Sequence, residues 1–467
     1  MGKYKMKMNY TGKNNDTICA LSTANGVGAI AVIRVSGEKA LEIVSAIFSK
    51  QLNQFESHTA HFGRIRNGEE IIDEVLLTVL HGGKSFTGEP TVEIACHGSA
   101  YIQQQILQLL ISKGCRTANP GEFTMRAFMN GKMDLSQAEA VADLISSQSK
   151  RAHQVAMNQL RGSFSNELRD LREKLIHFAS LVELELDFAE EDVEFADRTE
   201  LKALVKEVLA YIQKLIRSFD LGNALKNGVP VAIVGAPNTG KSTLLNQLLG
   251  EERAIVSDIA GTTRDVIEET LNIDGILFRL IDTAGIRDGL SDSDSDKIEA
   301  IGIERSKQKI QQAEFVLVLA DATMDNLQAV ANWAKELQNE YPEKKIILIV
   351  NKADIVISPS VSFTPSLFIS ALTGQGVESL TSWMVDQITN GVDIQQEVIV
   401  TNARHVEELQ KTALALQAAA EGLENGTTGD FIAMDIRQGM YHLGNITGDI
   451  STDDLLGNIF SKFCIGK

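Results

Sequence analysis

The sequence predicts a multidomain chain in which α+β, all-α and α/β regions follow one another. Its 467 residues are too many for one hydrophobic core, because a domain averages about 150 residues. Apolar runs of strand length cover much of residues 17–128 and return after residue 228. Over residues 134–219 Gly and Pro nearly vanish and apolar residues recur at helical spacing, and helical spacing returns after residue 387. We therefore expect three domains, one of them built from two pieces of chain.

The first region, residues 1–130, is predicted to be an α+β domain. Apolar runs typical of strands cover Ala29–Val35, Ile71–Leu80 and Thr91–Cys96. A helical stretch, Tyr101–Ser112, follows turn residues. Strands and a helix in this order favour a compact domain.

An all-α domain is predicted in two pieces, residues 131–227 and 389–467. The motif Ser136-Gln-Ala-Glu139 has the form of a capping box and predicts a helix start. In residues 228–388, runs of Val, Ile and Leu alternate with helical patterns, which is typical of a parallel sheet covered on both faces. Because insertion is tolerated where chain ends lie close together, we interpret residues 228–388 as an α/β domain inserted into one helical domain. The second helical piece predicts helices over 403–423, 431–444 and 455–463.

Composition excludes several classes of protein. The chain has 44 Lys and Arg against 62 Asp and Glu, a formal net charge of −18, so any nucleic-acid contact requires a local basic patch. No apolar run approaches the roughly 18 residues of a membrane helix, and no signal-peptide pattern is present. The 4 cysteines lack CxxC spacing, which argues against a zinc site and a disulfide scaffold. These features favour a cytoplasmic protein.

The strongest motif is Gly235-Ala-Pro-Asn-Thr-Gly-Lys241-Ser242. It lies between the apolar run Val229–Val234 and a helical pattern over Thr243–Leu249. This order of strand, Gly-rich loop and helix is typical of a phosphate-binding P-loop. Backbone amides and the helix N-terminus bind phosphates, Lys241 reaches the terminal phosphates, and the Ser242 hydroxyl can bind Mg²⁺.

Guanine specificity is predicted by Asn351-Lys-Ala-Asp354, which follows the apolar run Ile346–Val350. The Asp354 carboxylate can accept hydrogen bonds from the N1–H and the 2-amino group of guanine, and adenine offers neither donor. Because a site built for paired polar contacts rejects an analogue that lacks them, GTP is expected over ATP. The triplet Ser370-Ala-Leu372 supplies a loop whose amides can contact the guanine carbonyl.

Two further segments complete the guanine-nucleotide motifs. Gly261-Thr-Thr263-Arg-Asp265 places Thr263 to share Mg²⁺ with Ser242. Asp282-Thr-Ala-Gly285 supplies a carboxylate after a strand and an amide for the γ-phosphate. The predicted GTP-binding set is Asn238, Thr239, Gly240, Lys241, Ser242, Thr243, Ser257, Asp258, Ile259, Ala260, Gly261, Thr262, Thr263, Asp282, Thr283, Ala284, Gly285, Asn351, Lys352, Ala353, Asp354, Ser370, Ala371 and Leu372.

The residue after this motif is Ile286, where Ras-type GTPases place the Gln that orients the attacking water. An Ile side chain cannot orient water, so another group must do so, and a substitute for an arginine finger is needed as well. Arg264, Arg287 and a monovalent cation held by Asn238 are the alternatives for the positive charge. For Asn238 the competing interpretation is a side chain that stabilises its turn.

The order of these parts resembles the MnmE (TrmE) family of tRNA modification GTPases over essentially the whole chain. The resemblance implies an N-terminal α+β folate-binding and dimerisation domain, a discontinuous all-α helical domain and an inserted Ras-like P-loop G domain. Besides the guanine-nucleotide motifs, the resembling segments are Gly28–Gly37, Pro120–Thr124, Arg126–Leu135, Ile301–Arg305 and the terminal Phe463-Cys-Ile-Gly-Lys467.

The resemblance also implies a function and partners. Members of the family form homodimers, bind a formyl-tetrahydrofolate and act with the FAD protein MnmG. The pair adds an aminomethyl or carboxymethylaminomethyl group to C5 of the wobble uridine of certain tRNAs. Members hydrolyse GTP with Mg²⁺ and with K⁺ bound between G domains.

Carried over by motif, the resemblance assigns ligands and catalytic groups. Mg²⁺ would be held by Ser242 and Thr263. The water-orienting carboxylate would be Glu299, with Glu304 and Asp288 as alternatives, because the acidic segment Ser291–Asp296 is longer than the family leads us to expect. The implied K⁺ ligands are Asn238, Ser257, the Ile259 carbonyl and Thr262.

The folate site follows less directly from the residues. Two apolar runs of the first domain are each interrupted by one charge, Arg34 and Glu93. Opposite buried charges often pair with each other. Alternatively, Glu93 accepts from the amino-pyrimidine edge of a pterin while Arg34 and Lys132 meet carbonyl or glutamate oxygens. The resemblance supports Arg34, Glu93, Lys132 and Lys467 as contacts of 5-formyl-tetrahydrofolate or a related one-carbon tetrahydrofolate.

The terminal motif contains Cys464, which is either a nucleophile or a small buried hydrophobic residue. The leading hypothesis is a K⁺-stimulated GTPase within a folate-dependent tRNA modification complex. One alternative is a ribosome-assembly or regulatory GTPase, which should carry a basic RNA-binding appendage. Another is a folate-binding scaffold with an inactive G domain, which conflicts with intact Lys241, Ser242, Thr263 and Asp282.

Overall fold

The computed structural model describes residues 16–187, 198–252, 269–281, 307–324, 327–356, 362–389, 397–450 and 452–466. The chain divides into two compact units. The first contains residues 1–142, 159–205 and 414–467, and the second contains residues 143–158 and 206–413. The domain boundaries expected at residues 130, 227 and 388 stay predictions.

Strands and helices are numbered in chain order. The strands are β1 (Ile18–Leu21), β2 (Ile30–Ser36), β3 (Thr59–Asn67), β4 (Glu70–Leu80), β5 (Thr91–His97), β6 (Arg116–Thr117), β7 (Val229–Val234), β8 (Glu269–Ile273), β9 (Ile276–Leu280), β10 (Phe315–Asp321), β11 (Lys345–Asn351) and β12 (Ser366–Phe368). The helices are α1 (Ala40–Ser45), α2 (Ala100–Ser112), α3 (Glu122–Met129), α4 (Leu135–Ser146), α5 (Lys150–Leu160), α6 (Ser163–Asp187), α7 (Arg198–Asn227), α8 (Lys241–Glu252), α9 (Leu327–Glu340), α10 (Val377–Thr389), α11 (Ala403–Asn425), α12 (Gly429–Thr447) and α13 (Asp453–Phe460).

A six-stranded sheet in the order β3-β4-β5-β2-β1-β6 organises the first unit. Its strand pairs are antiparallel except β1 with β6. Along β2 the buried residues Ala31, Ile33 and Val35 alternate with more open positions, and they share a core with Ile106 and Leu110 of α2. This period of two is the pattern expected of a half-buried strand. The three strands and the helix predicted in this region are confirmed to within one residue at each end.

The start of α4 corrects one prediction. The reciprocal cap is made by Asp134 and Gln137 rather than by Ser136 and Glu139. The Gln137 amide donates to Asp134 Oδ1 at 2.9 Å, and the Asp134 amide donates to Gln137 Oε1 at 2.9 Å. Ser136 is buried instead, with its hydroxyl 2.7 Å from that of Ser165. Residues 134–137 and 136–139 both fit the capping-box pattern, and only the contact of Ser136 with Ser165 of α6 decides between them.

The helices of the second chain half follow their apolar spacing closely. The segments predicted over 403–423, 431–444 and 455–463 correspond to α11, α12 and α13.

Within the described ranges, no helix is both long and apolar enough to span a membrane.

The second unit contains a six-stranded sheet in the order β12-β11-β10-β7-β9-β8. All neighbouring strands are parallel except the edge pair β8 and β9. Leu317 and Ile349 pack in a core on one face, and Val318 and Leu348 pack in a second core on the other. Burial on both faces explains why these strands appear in the sequence as continuous apolar runs.

The strand order reverses direction at β7. The chain passes from β7 through α8 to β8 and β9 on one side, whereas β10, β11 and β12 lie on the other. In such sheets ligands bind outside the carboxyl ends of the strands at this switch point. The loop after β7 therefore lies where the fold favours a ligand.

A buried ionic network fixes α3 in the first unit. Glu122 is only 2% exposed and accepts from both guanidinium groups around it, at 2.6 Å from Arg116 and 3.0 Å from Arg126. The Asn119 amide also donates to Glu122, at 2.8 Å. Asp16 joins the network through bonds of 2.7 Å to each arginine. Each buried charge is thus paired and hydrogen-bonded, as burial requires.

This network predicts acid sensitivity. Burial alone would raise the pKa of Glu122, but the arginines and the Asn119 amide hold it below its usual range. A carboxylate whose pKa is depressed by folding stabilises the protein above its unfolded pKa and loses that effect as the pH falls through the folded value. We expect Glu122 to stabilise the protein near neutral pH and to lose this contribution as the pH falls below its ordinary, unfolded-state pKa.

The measurement is urea unfolding of the wild type and of Glu122→Gln between pH 6 and pH 3. The neutral amide keeps the shape of the side chain, so the variant should begin less stable and lose less stability on acidification. Parallel loss of stability in both proteins would show that Glu122 does not carry the effect.

Candidate nucleotide-binding site

The P-loop leaves the end of β7 at Gly235 and enters α8 at Lys241. A Cβ on Gly235 would lie 2.4 Å from the Leu319 carbonyl oxygen of β10, and one on Gly240 would lie 2.1 Å from Asn351 Nδ2. Gly240 also has a φ of 95°, in the region that favours glycine. Neighbouring atoms therefore occupy the space that a Cβ would need at these two positions, so only glycine fits there.

Lys241 folds back over the loop that it follows. Its Nζ donates to the carbonyl oxygens of Gly235 at 2.8 Å and Ala236 at 2.7 Å. Burial, together with the charge of Lys309, lowers the pKa of Lys241. Lys241 has no carboxylate partner among the described residues, and an ammonium group at the N-terminus of a 12-residue helix is suited to an anionic ligand.

Asn351 connects the P-loop to the loop after β12. The side chain is buried, its Nδ2 donates to the Thr239 carbonyl at 2.9 Å, and its Oδ1 accepts from the Ala371 amide at 2.9 Å. The prediction had placed Asn351 among the residues around the base without this bracing role. One side-chain amide thus joins the two loops.

The predicted Ser370–Leu372 triplet is a tight loop whose amides differ in their partners. The Ser370 amide donates to the Gln375 carbonyl at 2.9 Å, and the Ala371 amide donates to Asn351. Leu372 is 77% exposed, and its amide has no acceptor among the described residues. It is the donor of the triplet that is open to a ligand carbonyl.

The segment after β11 turns sharply and exposes Asp354. Lys352 has a φ of 65°, and the Ala353 amide donates to the Ile369 carbonyl at 2.9 Å. Asp354 is exposed, and its carboxylate has no hydrogen-bond or ion-pair partner within the described part of the chain. Lys352 pairs with Asp321 at the end of β10, at 2.5 Å. The sequence prediction missed Asp321, although an acid that directly follows the apolar run Phe315–Ala320 was a signal for it.

The remaining predicted residues of this site fall outside the described ranges, so their roles stay predictions. They are Ser257, Asp258, Ile259, Ala260, Gly261, Thr262, Thr263, Arg264, Asp282, Thr283, Ala284, Gly285, Ile286, Arg287, Asp288, Glu299 and Glu304. Asn238, Ser242 and Thr243 are described and exposed in or next to the P-loop, and Asn238 has a φ of 62°. Among the described residues no cluster of three or more acidic, His or Cys side chains could hold a metal by itself.

Arg34 and Glu93 lie opposite each other on β2 and β5 of the first unit. They form an ion pair in which Arg34 Nε and Nη2 donate to the same Glu93 oxygen at 3.0 and 2.7 Å. The guanidinium also lies 5.5 Å from the Phe86 ring centre and 5.6 Å from that of Phe123. The simpler of the two interpretations, a cross-strand pair, is thus present. Both side chains remain partly exposed, at 20% and 31%, so the pair is accessible to a ligand.

Lys132 lies against the loop that carries Phe86. Its Nζ donates to the Gly83 carbonyl at 2.9 Å, and its side chain is close to Gly88. The loop thus links two of the predicted folate residues, because Phe86 packs near Arg34 and Gly83 and Gly88 contact Lys132. The fourth residue, Lys467, lies outside the described ranges.

The C-terminal motif is docked on the start of α3. The Gly121 amide donates to the Cys464 carbonyl at 3.3 Å, and Ile465 forms a β-bridge with Pro120. A Cβ on Gly466 would lie 2.0 Å from the Leu21 carbonyl oxygen, so glycine is required there. Cys464 is exposed, so the interpretation as a buried hydrophobic residue was wrong. Its backbone is fixed while its thiol is accessible.

A largely parallel sheet with a P-loop at its switch point, which Asn351 joins to the Ser370–Leu372 loop, defines a P-loop GTPase. The chain belongs to the MnmE family of tRNA modification GTPases. It matches the family model of the GTP-binding protein TrmE N-terminus over residues 17–132 and that of the MnmE helical domain over residues 135–464. The inferred three-part fold and the GTPase class of the sequence prediction are therefore confirmed.

Curated relatives match along nearly the whole chain. The tRNA modification GTPase MnmE of Christiangramia forsetii is 52% identical over 97% of this chain and 100% of its own length. Its counterpart in Cytophaga hutchinsonii is 52% identical over 97% and 98%, and that of Bacteroides thetaiotaomicron is 50% identical over 97% and 100%. A solved structure of Aquifex aeolicus Era bound to GDP·AlF4⁻ covers 41% of this chain and 67% of its own, at 26% identity and a TM-score of 0.26. That alignment is too partial to inform the site.

Proposed function

We propose that the chain is a K⁺-stimulated GTPase that acts with an MnmG-type FAD protein on the wobble uridine of certain tRNAs. The product carries an aminomethyl or carboxymethylaminomethyl group at C5, and a formyl-tetrahydrofolate or related one-carbon tetrahydrofolate is the donor. The observation that carries the proposal is the P-loop braced by Asn351 in a chain that belongs to the MnmE family. The protein acts as a homodimer in the cytoplasm, where tRNA is modified.

In this proposal the P-loop amides and Lys241 bind the β- and γ-phosphates of GTP. The Lys241 ammonium, now on the Gly235 and Ala236 carbonyls, then moves onto phosphate oxygens. Asp354 and the Leu372 amide contact the guanine edge. Ser242 and Thr263 would hold Mg²⁺, and the ion would supply positive charge beside the phosphates where GTP is hydrolysed to GDP and phosphate.

Asn238 supports the proposed K⁺ site. Its backbone is left-handed and its side chain is exposed within the P-loop, which leaves its neutral amide oxygen available as a ligand. Ser257, the Ile259 carbonyl and Thr262 complete the proposed ligand set. Glu299 would orient the attacking water, and a bound cation would supply the positive charge of an arginine finger, with Arg287 as the alternative.

The experiment that tests the function is mass spectrometry of tRNA nucleosides from cells that lack this protein. Wild-type complementation should restore the C5-modified wobble uridines, and Lys241→Ala should not, because the phosphates lose their cation. Unchanged wobble uridines in the deletion strain would overturn the proposal and favour a role in ribosome assembly.

The Arg34–Glu93 pair supports the proposed folate site. Only one Glu93 oxygen is used by Arg34, which leaves the other able to accept from the amino-pyrimidine edge of a pterin. Glu93→Gln is expected to weaken formyl-tetrahydrofolate binding by about 10-fold or more, since charge-assisted bonds are worth about 1.5–3 kcal/mol. Binding is measured by calorimetry on the full chain. GTP affinity serves as the control, because Glu93 lies in the other unit from the P-loop.

Unaltered folate binding in Glu93→Gln, with GTP binding intact, would remove Glu93 from the site. Lys467→Ala is tested in the same way, and Cys464→Ser is tested by the tRNA nucleoside measurement described above. The docked C-terminal motif brings Cys464 close to Pro120 and Gly121, and we propose that its thiol acts in the modification reaction.

A further inference from the structure

We propose that Asp321 is a positioning residue of the guanine subsite, acting through Lys352. This inference rests on the proposed guanine site and adds to it a residue that does not itself touch the nucleotide. Asp321 is the last residue of β10 and lies in register with Asn351, the last residue of β11.

Both oxygens of the Asp321 carboxylate have partners in the described part of the chain. It is 4% exposed, and its Oδ1 accepts from the Thr323 amide at 2.9 Å and from the Thr323 hydroxyl at 2.7 Å. Its Oδ2 lies 2.5 Å from Lys352 Nζ. Burial alone would raise the pKa of Asp321, but Lys352 and Thr323 hold it below its usual range, which keeps the carboxylate charged. A buried charge of this kind needs its counter-ion, so the pair is expected to persist when a nucleotide binds.

Lys352 combines an unusual backbone conformation with its ion pair to Asp321. With a φ of 65° it occupies the left-handed region, which is strained for a residue other than glycine. The turn made by this residue is closed by the Ile355 amide, which donates to the Lys352 carbonyl at 3.0 Å. Asp354 lies inside that turn. The ion pair with Asp321 therefore fixes the conformation that exposes the base-reading carboxylate.

The same strand end also meets the P-loop. The carbonyl oxygen of Leu319, two residues before Asp321, lies so close to Gly235 that a Cβ there would have no room. The Ala322 amide donates to the Asn351 carbonyl at 2.9 Å. Asp321 thus lies between the phosphate loop and the base loop. The Asp321 carboxylate pairs with Lys352 rather than with the ligand. Removing its charge should therefore weaken the base contacts more than the phosphate contacts.

Asp321→Asn keeps the shape of the side chain and removes the charge that holds Lys352. We expect GTP and GDP affinity to fall by the same factor, about 10-fold, since both share the base. Turnover at saturating GTP should be unchanged, because the contact is equal in ground and transition states. The preference for GTP over ITP, which lacks only the 2-amino group, should shrink as Asp354 loses its fixed position.

A double-mutant cycle with Lys352→Met separates this role from a general effect on folding. If Asp321 acts through Lys352, adding Asp321→Asn to Lys352→Met should change affinity by less than about 2-fold, because the contact is already gone. Thr323→Val is the matched control, since it removes a hydrogen bond to Asp321 but keeps the carboxylate and the ion pair. Thermal unfolding of each full-length variant is recorded, and if Asp321→Asn does not fold, Lys352→Met alone must reduce the GTP preference over ITP.

Two results would overturn the inference. One is a wild-type preference for GTP over ITP in Asp321→Asn, and the other is a full, multiplicative loss in the double variant. If the wild type itself binds GTP no better than ATP, the proposed guanine site fails instead. The two failures are therefore distinguishable in one set of titrations.

Discussion

Replacing Asp354 by Asn is expected to change the nucleotide preference from GTP to XTP. The carboxylate accepts two hydrogen bonds, from N1–H and from the 2-amino group of guanine. An Asn side chain has one acceptor and one donor, which match the N1–H and the 2-carbonyl of xanthine. The replacement therefore makes guanine a mismatched base and xanthine a matched one.

The expected size follows from the cost of leaving polar groups unpaired. Sites built on such hydrogen bonds reject a mismatched ligand by about 10⁴-fold, and a partly exposed site by less. Since Asp354 is exposed, we expect GTP affinity to fall by at least about 100-fold and XTP affinity to rise by a similar factor. The fold should be unaffected, because no described residue bonds to the Asp354 carboxylate.

Equilibrium titration of the wild type, Asp354→Asn and Asp354→Ala with GTP, XTP and ATP measures the change. Asp354→Ala is the control, because it should lose GTP without gaining XTP. A variant Asp354→Asn that still prefers GTP would show that another residue reads the base.

Much of the fold could be predicted from local pattern. Strands β7 and β11 are buried on both faces, so they appear as apolar runs whose limits in the sequence agree with the structure to within one residue. The P-loop could be predicted because its glycines are required by close contacts. A Cβ at Gly235 or Gly240 has no room, and the sequence records that requirement directly.

Contacts between distant segments could not be predicted in this way. The bracing role of Asn351 depends on Thr239 and Ala371, which meet it only after the sheet has formed. The choice between pairing and ligand binding for Arg34 and Glu93 depended on the register of β2 with β5, which apolar alternation does not specify.

Potassium is expected to accelerate GTP turnover by at least about 100-fold over sodium at equal ionic strength. Ile286 cannot orient water, and an added positive charge near the phosphates is worth about 10³ to 10⁵ in rate in related GTPases. Asn238 offers a neutral oxygen at the P-loop, and K⁺ is larger and more easily dehydrated than Na⁺, so a site of several neutral oxygens favours it. The measurement is single-turnover hydrolysis at saturating GTP in KCl and in NaCl.

The backbone conformation of Asn238 determines which substitutions test the proposed potassium site. Because its φ is 62°, Asn238→Gly removes the side-chain oxygen without adding strain, whereas Ala would add about 1 kcal/mol of left-handed strain. Asn238→Gly should bind GTP nearly as well as the wild type and lose most of the potassium acceleration. Asn238→Asp keeps an oxygen ligand and should retain part of it. Equal rates in the two salts for the wild type would contradict the cation mechanism, and Arg287 would then become the group to test, since a built-in arginine would supply the charge without an added ion.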